Sequence, residues 1–279
     1  MRGVTYGTFR PGAHGDFPHP EIVLSDFRAM SAAGINTIRT YTPPTNWLLD
    51  EALRHGLRVV AGLPWEQHVA FLEDSARSRS IEERIREAVR SYAGHPAVLC
   101  TAIGNEIPAS IVRWHGARRV EQFLSRLFEA AKDEDPAGLV TYVNYPSTEY
   151  LQLPFLDLVC FNVFLEREEA LEAYLARLQN IAGPRPLLVT ELGLDSVRHG
   201  EAGQAISLDW QLRTAFRGGC AGAFVFSWTD DWHRDGSDVD DWGFGVTDRR
   251  RRPKLALDSV ATVFRELPFP ADVSWTLVS

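Results

Sequence analysis

The sequence predicts an α/β protein with a (β/α)8 barrel, or TIM barrel, because short apolar runs alternate with amphipathic helical stretches along the chain. Most of these runs are almost continuously apolar, which is typical of parallel strands covered on both faces. Such a barrel needs about 250 residues. The 279 residues therefore suit a single domain spanning 1–279. The eight predicted strands lie near 2–9, 35–41, 57–65, 97–106, 139–146, 156–164, 186–193 and 221–230.

The segments between these runs carry apolar residues at helical spacing. In "SIEERIREAVRSYAGH", Ser80 and Glu83 have the spacing of a capping box, and Ile81, Ile85 and Val89 share one face. A doubly wound open sheet would show the same alternation of strands and helices. No Gly-rich dinucleotide fingerprint follows the first run, however, and the count of eight favours a closed barrel.

Composition limits the partners that we expect. A net charge of −8 and an isoelectric point near 5.5 argue against binding to nucleic acid or to an anionic membrane surface. No apolar run has the length of a membrane-spanning helix, and the first residues lack the apolar stretch of a secretory signal. We therefore expect a cytoplasmic protein without membrane insertion, unless the chain is a domain excised from a larger protein. The sequence does not indicate its oligomeric state.

Cysteine and histidine patterns predict no metal site. The three cysteines are widely spaced within apolar runs, which is typical of buried free thiols. The eight histidines form no pair at metal-binding helical spacing. The acidic segment 229–242 lacks the spacing of a calcium loop, and a solvated loop over the active site is the preferred interpretation.

Polar and aromatic residues collect at the ends of the predicted strands, where barrels of this kind build their active sites. Glu106 ends the fourth apolar run and Glu191 ends the seventh, and two such glutamates are poorly explained by chance. Both tips of a closed barrel face the same opening. The further candidate substrate-binding residues are Arg39, Tyr41, Trp65, Glu66, His68, Asn105, Asn144, Tyr145, Asn162, Trp228 and Asp230.

Two carboxyl groups about 5 Å apart are the arrangement that retaining glycosidases use. One carboxylate attacks the anomeric carbon, and the other protonates the leaving oxygen and then activates water. This chemistry needs no metal or organic cofactor. Neighbouring Trp and Tyr rings suit the CH-rich faces of sugars, while polar neighbours bond the hydroxyl groups.

Four motifs carry a resemblance to a known family. They are "GNE" (104–106), "VTELG" (189–193), "NTIRTY" (36–41) and "FSWTD" (226–230), and they lie on the fourth, seventh, second and eighth predicted strands. With them the sequence resembles the retaining glycoside hydrolases of clan A, and most closely the catalytic barrel of glycoside hydrolase family 2. The resemblance implies that Glu106 is the acid/base and Glu191 the nucleophile. It further implies that Arg39 supports the nucleophile, that Asn105 bonds the sugar 2-hydroxyl, and that Trp228 is the aromatic residue of strand eight.

The sequence departs from this family in two respects. Family 2 enzymes usually carry β-sandwich domains before the barrel, whereas this sequence starts at the first strand. Many clan members also have a tyrosine on strand six that bonds the nucleophile, and Phe164 stands at the matching position. Tyr41, Tyr145 or another group then has to supply that hydroxyl, unless the nucleophile is tuned differently.

We therefore expect a retaining β-glycoside hydrolase that acts on a β-linked glucan or exopolysaccharide oligosaccharide. A transglycosylase would share every catalytic residue and differ in how water competes at the acceptor site. A non-catalytic carbohydrate-binding barrel is the alternative from another class of protein. The presence of both glutamates counts against it, because a barrel that no longer catalyses a reaction does not need to keep them.

Overall fold

A computed structural model describes residues 1–13, 15–234 and 236–267. Eight parallel strands close into a barrel in sequence order, so the predicted fold class is confirmed. The strands are shorter than the predicted runs because only part of each run pairs with its neighbours. They are β1 (Arg2–Thr5), β2 (Thr37–Arg39), β3 (Arg58–Gly62), β4 (Val98–Asn105), β5 (Val140–Asn144), β6 (Val159–Asn162), β7 (Leu187–Leu192) and β8 (Gly222–Val225).

Helices cover the outside of the barrel. They are α1 (Pro20–Ala32), α2 (Asn46–Arg54), α3 (Ser75–Tyr92), α4 (Ala109–His115), α5 (Ala117–Glu134), α6 (Glu168–Ala182), α7 (Ser196–Arg217) and α8 (Leu255–Glu266). A two-stranded hairpin of β9 (His233–Arg234) and β10 (Ser237–Asp238) follows the barrel's last strand. Helix α3 begins before the predicted capping box, because the Asp74 side chain accepts hydrogen bonds from the backbone of Ala76 and Arg77 at 2.9 and 3.2 Å.

Two apolar clusters form the core. The larger one packs the outward-facing strand residues against the helices. The smaller one lies within the barrel and includes Val60, Cys160 and Phe224. Gly3 of β1 leaves room for the Phe224 ring, because a Cβ atom at this position would lie 2.3 Å from Phe224 Cδ1. All three cysteines are buried and free, as the sequence predicted.

Irregular pairing occurs at the carboxyl ends of three barrel strands. The register shifts between Ala102 and Asn105 on β4, at Asn162 on β6, and between Val189 and Leu192 on β7. Such irregularities re-aim side chains at the ends of strands. They occur at the positions of Asn105, Asn162 and Glu191. In the described ranges, no helix is both long and apolar enough to cross a membrane.

Candidate active site

Glu191 lies at the carboxyl end of β7 with its side chain buried against two donors. Arg39 Nη1 lies 2.9 Å from Glu191 Oε1, and the Tyr41 hydroxyl donates to the same oxygen at 2.8 Å. The side chains of Arg39 and Glu191 are 2% and 9% exposed, so this ion pair is shielded from water. Both bonds go to Oε1, and Oε2 accepts no hydrogen bond from a described residue.

Arg39 joins the ends of several strands. Its Nη1 also donates to Asn162 Oδ1 and to the Thr190 carbonyl, both at 3.0 Å, and its Nη2 donates to Asn105 Oδ1 at 2.7 Å. The guanidinium carbon lies 4.7 Å from the centroid of the Tyr41 ring, within the range of a cation–π contact. One buried cation on β2 therefore fixes polar side chains of β4, β6 and β7.

Glu106 follows β4 directly and is connected to Glu191 through Asn162. Asn162 Nδ2 donates to Glu106 Oε1 at 2.8 Å and to Asn105 Oδ1 at 3.1 Å, while Asn162 Oδ1 accepts from Arg39. The backbone of Glu106 has a φ of 51°, in the left-handed region that non-glycine residues rarely adopt. Strain of this kind gathers at functional sites.

The segment around Glu106 is held on both sides. Trp65 Nε1 donates to the Ile103 carbonyl at 2.8 Å, and the Asn105 backbone donates to Gln67 Oε1 at 3.1 Å. After Glu106, the Ile107 backbone donates to the Tyr142 hydroxyl at 2.8 Å. These bonds fix the chain that presents Asn105 and Glu106.

Tyr145 supports the same segment from β5. Its hydroxyl accepts a hydrogen bond of 3.0 Å from the backbone of Ala109, the first residue of α4. The hydroxyl bonded to Glu191 is that of Tyr41. Of the two tyrosines that the sequence offered in place of a strand-six tyrosine, Tyr41 therefore makes the contact.

Burial raises the pKa of Glu191 to about 7. The Arg39 cation opposes this shift, the nearby Glu106 carboxylate adds to it, and the hydrogen bonds from Tyr41 and Arg39 lower the pKa again. Titration of Glu191 near neutral pH is typical of a functional carboxyl group.

Aromatic rings that follow β6 and β8 pack next to Tyr41, the tyrosine that bonds Glu191. We call Phe164, Phe226, Trp232, Trp242 and Phe244 the aromatic wall. The Phe226 centroid lies 4.8 Å from that of Trp232 and 5.4 Å from that of Phe244, and Trp232 lies 5.3 Å from Tyr41. Phe164 is 42% exposed at the edge of this wall.

Trp228, which the resemblance assigns as the aromatic residue of strand eight, does not belong to the aromatic wall. Its side chain is 1% exposed and lies near the buried carboxyl group of Asp26, and its backbone donates to the Thr5 carbonyl at 3.0 Å. Phe226, two residues earlier, joins the aromatic wall instead. Nothing in the sequence distinguished these two aromatic residues.

Asp230 and Glu66 also have partners outside the group around Glu191. Asp230 Oδ2 lies 2.7 Å from Lys254 Nζ, and Asp230 Oδ1 accepts from the Gly245 backbone at 2.7 Å. Glu66 forms an exposed ion pair of 2.6 Å with Arg84 of α3. The sequence predicted substrate contacts for both residues, whereas their carboxylates are already engaged by other parts of the fold.

Asn144 likewise bonds within its own loop. Its Oδ1 accepts from the Thr148 hydroxyl at 2.5 Å, and its Nδ2 donates to the Thr148 carbonyl at 3.0 Å. Asn144 is buried, so these bonds satisfy its amide and shape the loop after β5. Its predicted contact with substrate stays a prediction.

A cavity of about 280 Å³ opens between the carboxyl ends of β2, β3 and β4 and the β9–β10 hairpin; we call it the β2–β4 cavity. Its lining includes Arg39, Tyr41, Trp65, Gln67, His68, Asn105 and Arg234. It therefore adjoins two of the residues bonded to Glu191 and brings in His68. Gln67 and Arg234 were not among the predicted substrate-binding residues: Gln67 ends the third predicted strand without a distinct motif, and an arginine in an acidic loop carries no pattern.

The described residues contain no group of three His, Cys, Asp or Glu side chains that could hold a metal ion. The groups that meet at the carboxyl ends of the strands are two carboxyl groups, one buried cation, amides and aromatic rings. Such a set can attack, protonate and orient a neutral or anionic organic substrate.

Comparisons with solved structures find the same barrel in larger proteins. A β-glucuronidase from Ruminococcus gnavus, in complex with uronic deoxynojirimycin, matches at 20% identity with a TM-score of 0.81, over 94% of this chain and 49% of that one. A Faecalibacterium prausnitzii β-glucuronidase matches at 21% identity with a TM-score of 0.81, over 96% of this chain and 49% of that one. A family 2 β-galacturonidase from Eisenbergiella tayi, bound to galacturonate, matches at 22% identity with a TM-score of 0.81, over 96% and 51%.

At these identities the likeness shows the shared fold alone, and the chain spans about half the length of these proteins. No curated protein matches the sequence. The family model described as "Glycosyl hydrolases family 2, TIM barrel domain" matches residues 12–268. This match takes in nearly the whole chain, including Arg39, Glu106 and Glu191. The chain therefore belongs to glycosyl hydrolase family 2, of which it carries the TIM barrel domain.

Proposed function

We propose that the protein is a retaining β-glycoside hydrolase, with Glu191 as nucleophile and Glu106 as acid/base. The observation that carries this proposal is the connection of the two glutamates through Arg39 and Asn162. Asn162 bonds Glu106 at 2.8 Å and Arg39 at 3.0 Å, and Arg39 bonds Glu191 at 2.9 Å. Such a connected pair suits the close spacing that double displacement requires.

In the first step, Glu191 Oε2 attacks the anomeric carbon as the bond to the leaving oxygen breaks. Glu106 gives its proton to that oxygen, and a covalent glycosyl-enzyme forms. In the second step, Glu106 removes a proton from water, whose oxygen displaces Glu191 from the anomeric carbon. The sugar leaves with its original anomeric configuration and both glutamates return to their starting states. The reaction needs no cofactor.

The neighbours of Glu191 favour the nucleophile role. Arg39 and Tyr41 both donate to Oε1, which orients the carboxylate and leaves Oε2 for the substrate. Asn105 Oδ1 accepts from Arg39 and Asn162, so the group left for a ligand is the Asn105 amide NH₂. This amide suits the sugar 2-hydroxyl, whose hydrogen bond strengthens in the transition state.

The same geometry favours catalysis over carbohydrate binding alone. A pure binding site gains nothing from a buried carboxyl group whose pKa is about 7, or from a residue such as Glu106 with a φ of 51°. Both features carry a cost in folding free energy, and such costs are typical of sites that perform chemistry. A transglycosylase shares these features, and only the competition between acceptors separates it from a hydrolase.

The residues around Glu106 and Glu191 restrict the type of reaction more than they restrict the class of substrate. The sequence predicted a β-linked glucan or an exopolysaccharide oligosaccharide. The names of three structurally similar proteins, two β-glucuronidases and one β-galacturonidase, add uronides to the candidates. What these candidates have in common is a β-glycosidic bond, which we propose as the bond that is cleaved.

A panel of aryl β-glycosides followed by ¹H NMR tests the proposal. We expect release of the aryl alcohol and a first-formed sugar product with the β configuration. An α product would overturn double displacement, and transfer of the sugar to added oligosaccharide in preference to water would assign a transglycosylase. Binding of β-glycans without turnover of any panel member would favour a carbohydrate-binding barrel.

A further inference from the structure

The backbone on both sides of Glu106 is held by β5. The Glu106 amide donates to the Val143 carbonyl at 2.9 Å, and the next amide, that of Ile107, donates to the Tyr142 hydroxyl at 2.8 Å. Tyr142 and Val143 are neighbours in β5. The first bond needs only a backbone carbonyl at position 143, whereas the second depends on the side chain at position 142.

Glu106 needs such support because its backbone lies in the left-handed region. Its φ is 51°, a conformation that costs free energy for a residue with a side chain and persists where the surrounding structure fixes it. The two bonds from β5 hold the peptide groups before and after the Glu106 Cα atom. Because the orientations of these two groups define φ and ψ, the bonds together fix the conformation of Glu106.

We propose that Tyr142 is a positioning residue for the acid/base: by holding the Ile107 amide, its hydroxyl keeps Glu106 in the conformation from which the carboxyl group reaches the leaving oxygen. The inference deepens the proposed function and rests on the assignment of Glu106 as acid/base. The Tyr142 side chain is 1% exposed in the larger apolar cluster, so it acts on the reaction through Glu106 and not by contact with substrate.

Removal of the Tyr142 hydroxyl should change where the Glu106 carboxyl group lies. Ile107 is buried, so Tyr142→Phe leaves its amide without an acceptor, which is unfavourable. The amide can find a new acceptor only if the peptide group after Glu106 rotates. Such a rotation turns the Glu106 side chain away from Asn162, whose Nδ2 donates to Glu106 Oε1 at 2.8 Å.

Tyr92 provides a matched control. It is also a tyrosine with a buried side chain, 3% exposed, and its hydroxyl lies 3.1 Å from the hydroxyl of Thr101 on β4. Tyr92→Phe therefore removes the same atom from the core and the same kind of contact with β4, without touching the peptide groups of Glu106. An effect of lower stability should appear in both variants, and an effect on the acid/base in Tyr142→Phe alone.

The experiment measures kcat/KM per folded molecule for the 4-nitrophenyl and the phenyl β-glycoside of the sugar that the aryl panel identifies. The nitrophenyl leaving group needs little protonation, whereas the phenyl leaving group gains more from an acid. We expect Tyr142→Phe to lose about tenfold or more on the phenyl glycoside and less than about threefold on the nitrophenyl glycoside, because a misplaced acid transfers its proton less well. Tyr92→Phe should lose less than about threefold on both.

Addition of Tyr142→Phe to Glu106→Ala tests whether the hydroxyl acts through the carboxyl group. If it does, the double variant should cleave the phenyl glycoside no more than about twofold more slowly than Glu106→Ala alone. A full further loss of about tenfold in the double variant, or equal losses of Tyr142→Phe on both glycosides, would overturn the inference while the proposed function stands.

Crystal structures of the two tyrosine variants test the inference without turnover. We expect the Glu106 carboxyl group to leave Asn162 Nδ2 or to occupy two positions in Tyr142→Phe, and to keep its place in Tyr92→Phe. An unchanged Glu106 in Tyr142→Phe would refute the positioning role. If no glycoside is turned over, or if Glu106→Ala loses equally on both glycosides, the proposed role of Glu106 fails, and the crystal structures alone decide whether Tyr142 positions it.

Discussion

The Tyr41 hydroxyl donates a hydrogen bond of 2.8 Å to the same oxygen of Glu191 that accepts from Arg39 at 2.9 Å. Both donors come from the "NTIRTY" segment: Arg39 ends β2 and Tyr41 follows two residues later. Phe164, at the position where the family resemblance expected a tyrosine, makes ring contacts with Phe226 and Phe244 at 5.8 Å. Because the segment after β2 supplies the hydroxyl, the position after β6 can carry Phe164, which extends the aromatic wall.

Tyr41→Phe should shift the pH dependence of kcat/KM. Burial raises the pKa of Glu191 to about 7, and the nucleophile has to be ionised, so activity should fall as the pH drops through about 7. The Tyr41 hydrogen bond favours the ionised form and lowers this pKa. Its removal should therefore move the acidic limb of the profile to higher pH. A pH series of kcat/KM on an activated aryl glycoside measures the shift.

Tyr145→Phe is the control for this variant. Tyr145 loses a hydroxyl of the same kind, but that hydroxyl accepts from the Ala109 backbone and not from Glu191. We expect the acidic limb to stay at its wild-type position. An unchanged limb in Tyr41→Phe, or an equal shift in both variants, would argue that the Tyr41 hydroxyl does not tune Glu191.

Replacement of the proposed nucleophile should nearly abolish turnover. Glu191→Ala removes the group that forms the glycosyl-enzyme, and loss of a catalytic nucleophile costs on the order of 10⁵-fold or more in kcat. Added azide should occupy the vacated space and attack the anomeric carbon once, which gives an α-glycosyl azide from an activated substrate. Product analysis by NMR checks this outcome, and an active variant that azide does not affect would refute the nucleophile assignment.

Replacement of the proposed acid/base should depend on the leaving group. Glu106→Ala should slow glycosylation by roughly 10²–10⁴-fold for alkyl or sugar leaving groups, because these need a proton. Activated nitrophenyl leaving groups need little protonation, so their glycosylation step should change far less. Pre-steady-state rates for both classes of substrate provide the measurement. Equal losses in the two classes would argue against an acid role for Glu106.

The positions of the barrel strands and of both glutamates could be predicted because they depend on local pattern. Apolar runs such as 97–106 identify buried strands, and a polar residue that ends such a run lies at the carboxyl end of the barrel. The network between Arg39, Asn162 and Glu106 could not be predicted, since its bonds join β2, β4 and β6 across the barrel. Its geometry also depends on the irregular register at those strand ends.

The position of the Trp228 side chain could not be predicted from local pattern. β8 ends at Val225, so the strict alternation of a strand no longer determines which way Phe226 and Trp228 face. Glu66 illustrates a second limit. Its partner Arg84 lies 18 residues further along the chain on α3, and an ion pair between separate elements leaves no spacing to recognise.

Variants of the Asp230–Lys254 pair test whether Asp230 stabilises the fold or binds substrate. Their side chains are 11% and 6% exposed, and their charged atoms lie 2.7 Å apart. Lys254→Met leaves the Asp230 carboxylate buried without its cation, so we expect the free energy of unfolding to fall by about 3–5 kcal/mol. The double variant Asp230→Asn with Lys254→Met should recover most of this loss, because neither charge remains.

Urea unfolding at neutral pH, combined with kcat/KM per folded molecule, measures both effects in the same samples. We expect the double variant to retain kcat/KM within a few-fold, since Asp230 bonds Lys254 and the Gly245 backbone and not the groups around Glu191. If Asp230→Asn instead removes most of the activity while unfolding is unchanged, the substrate contact expected from the sequence would be favoured over a structural role.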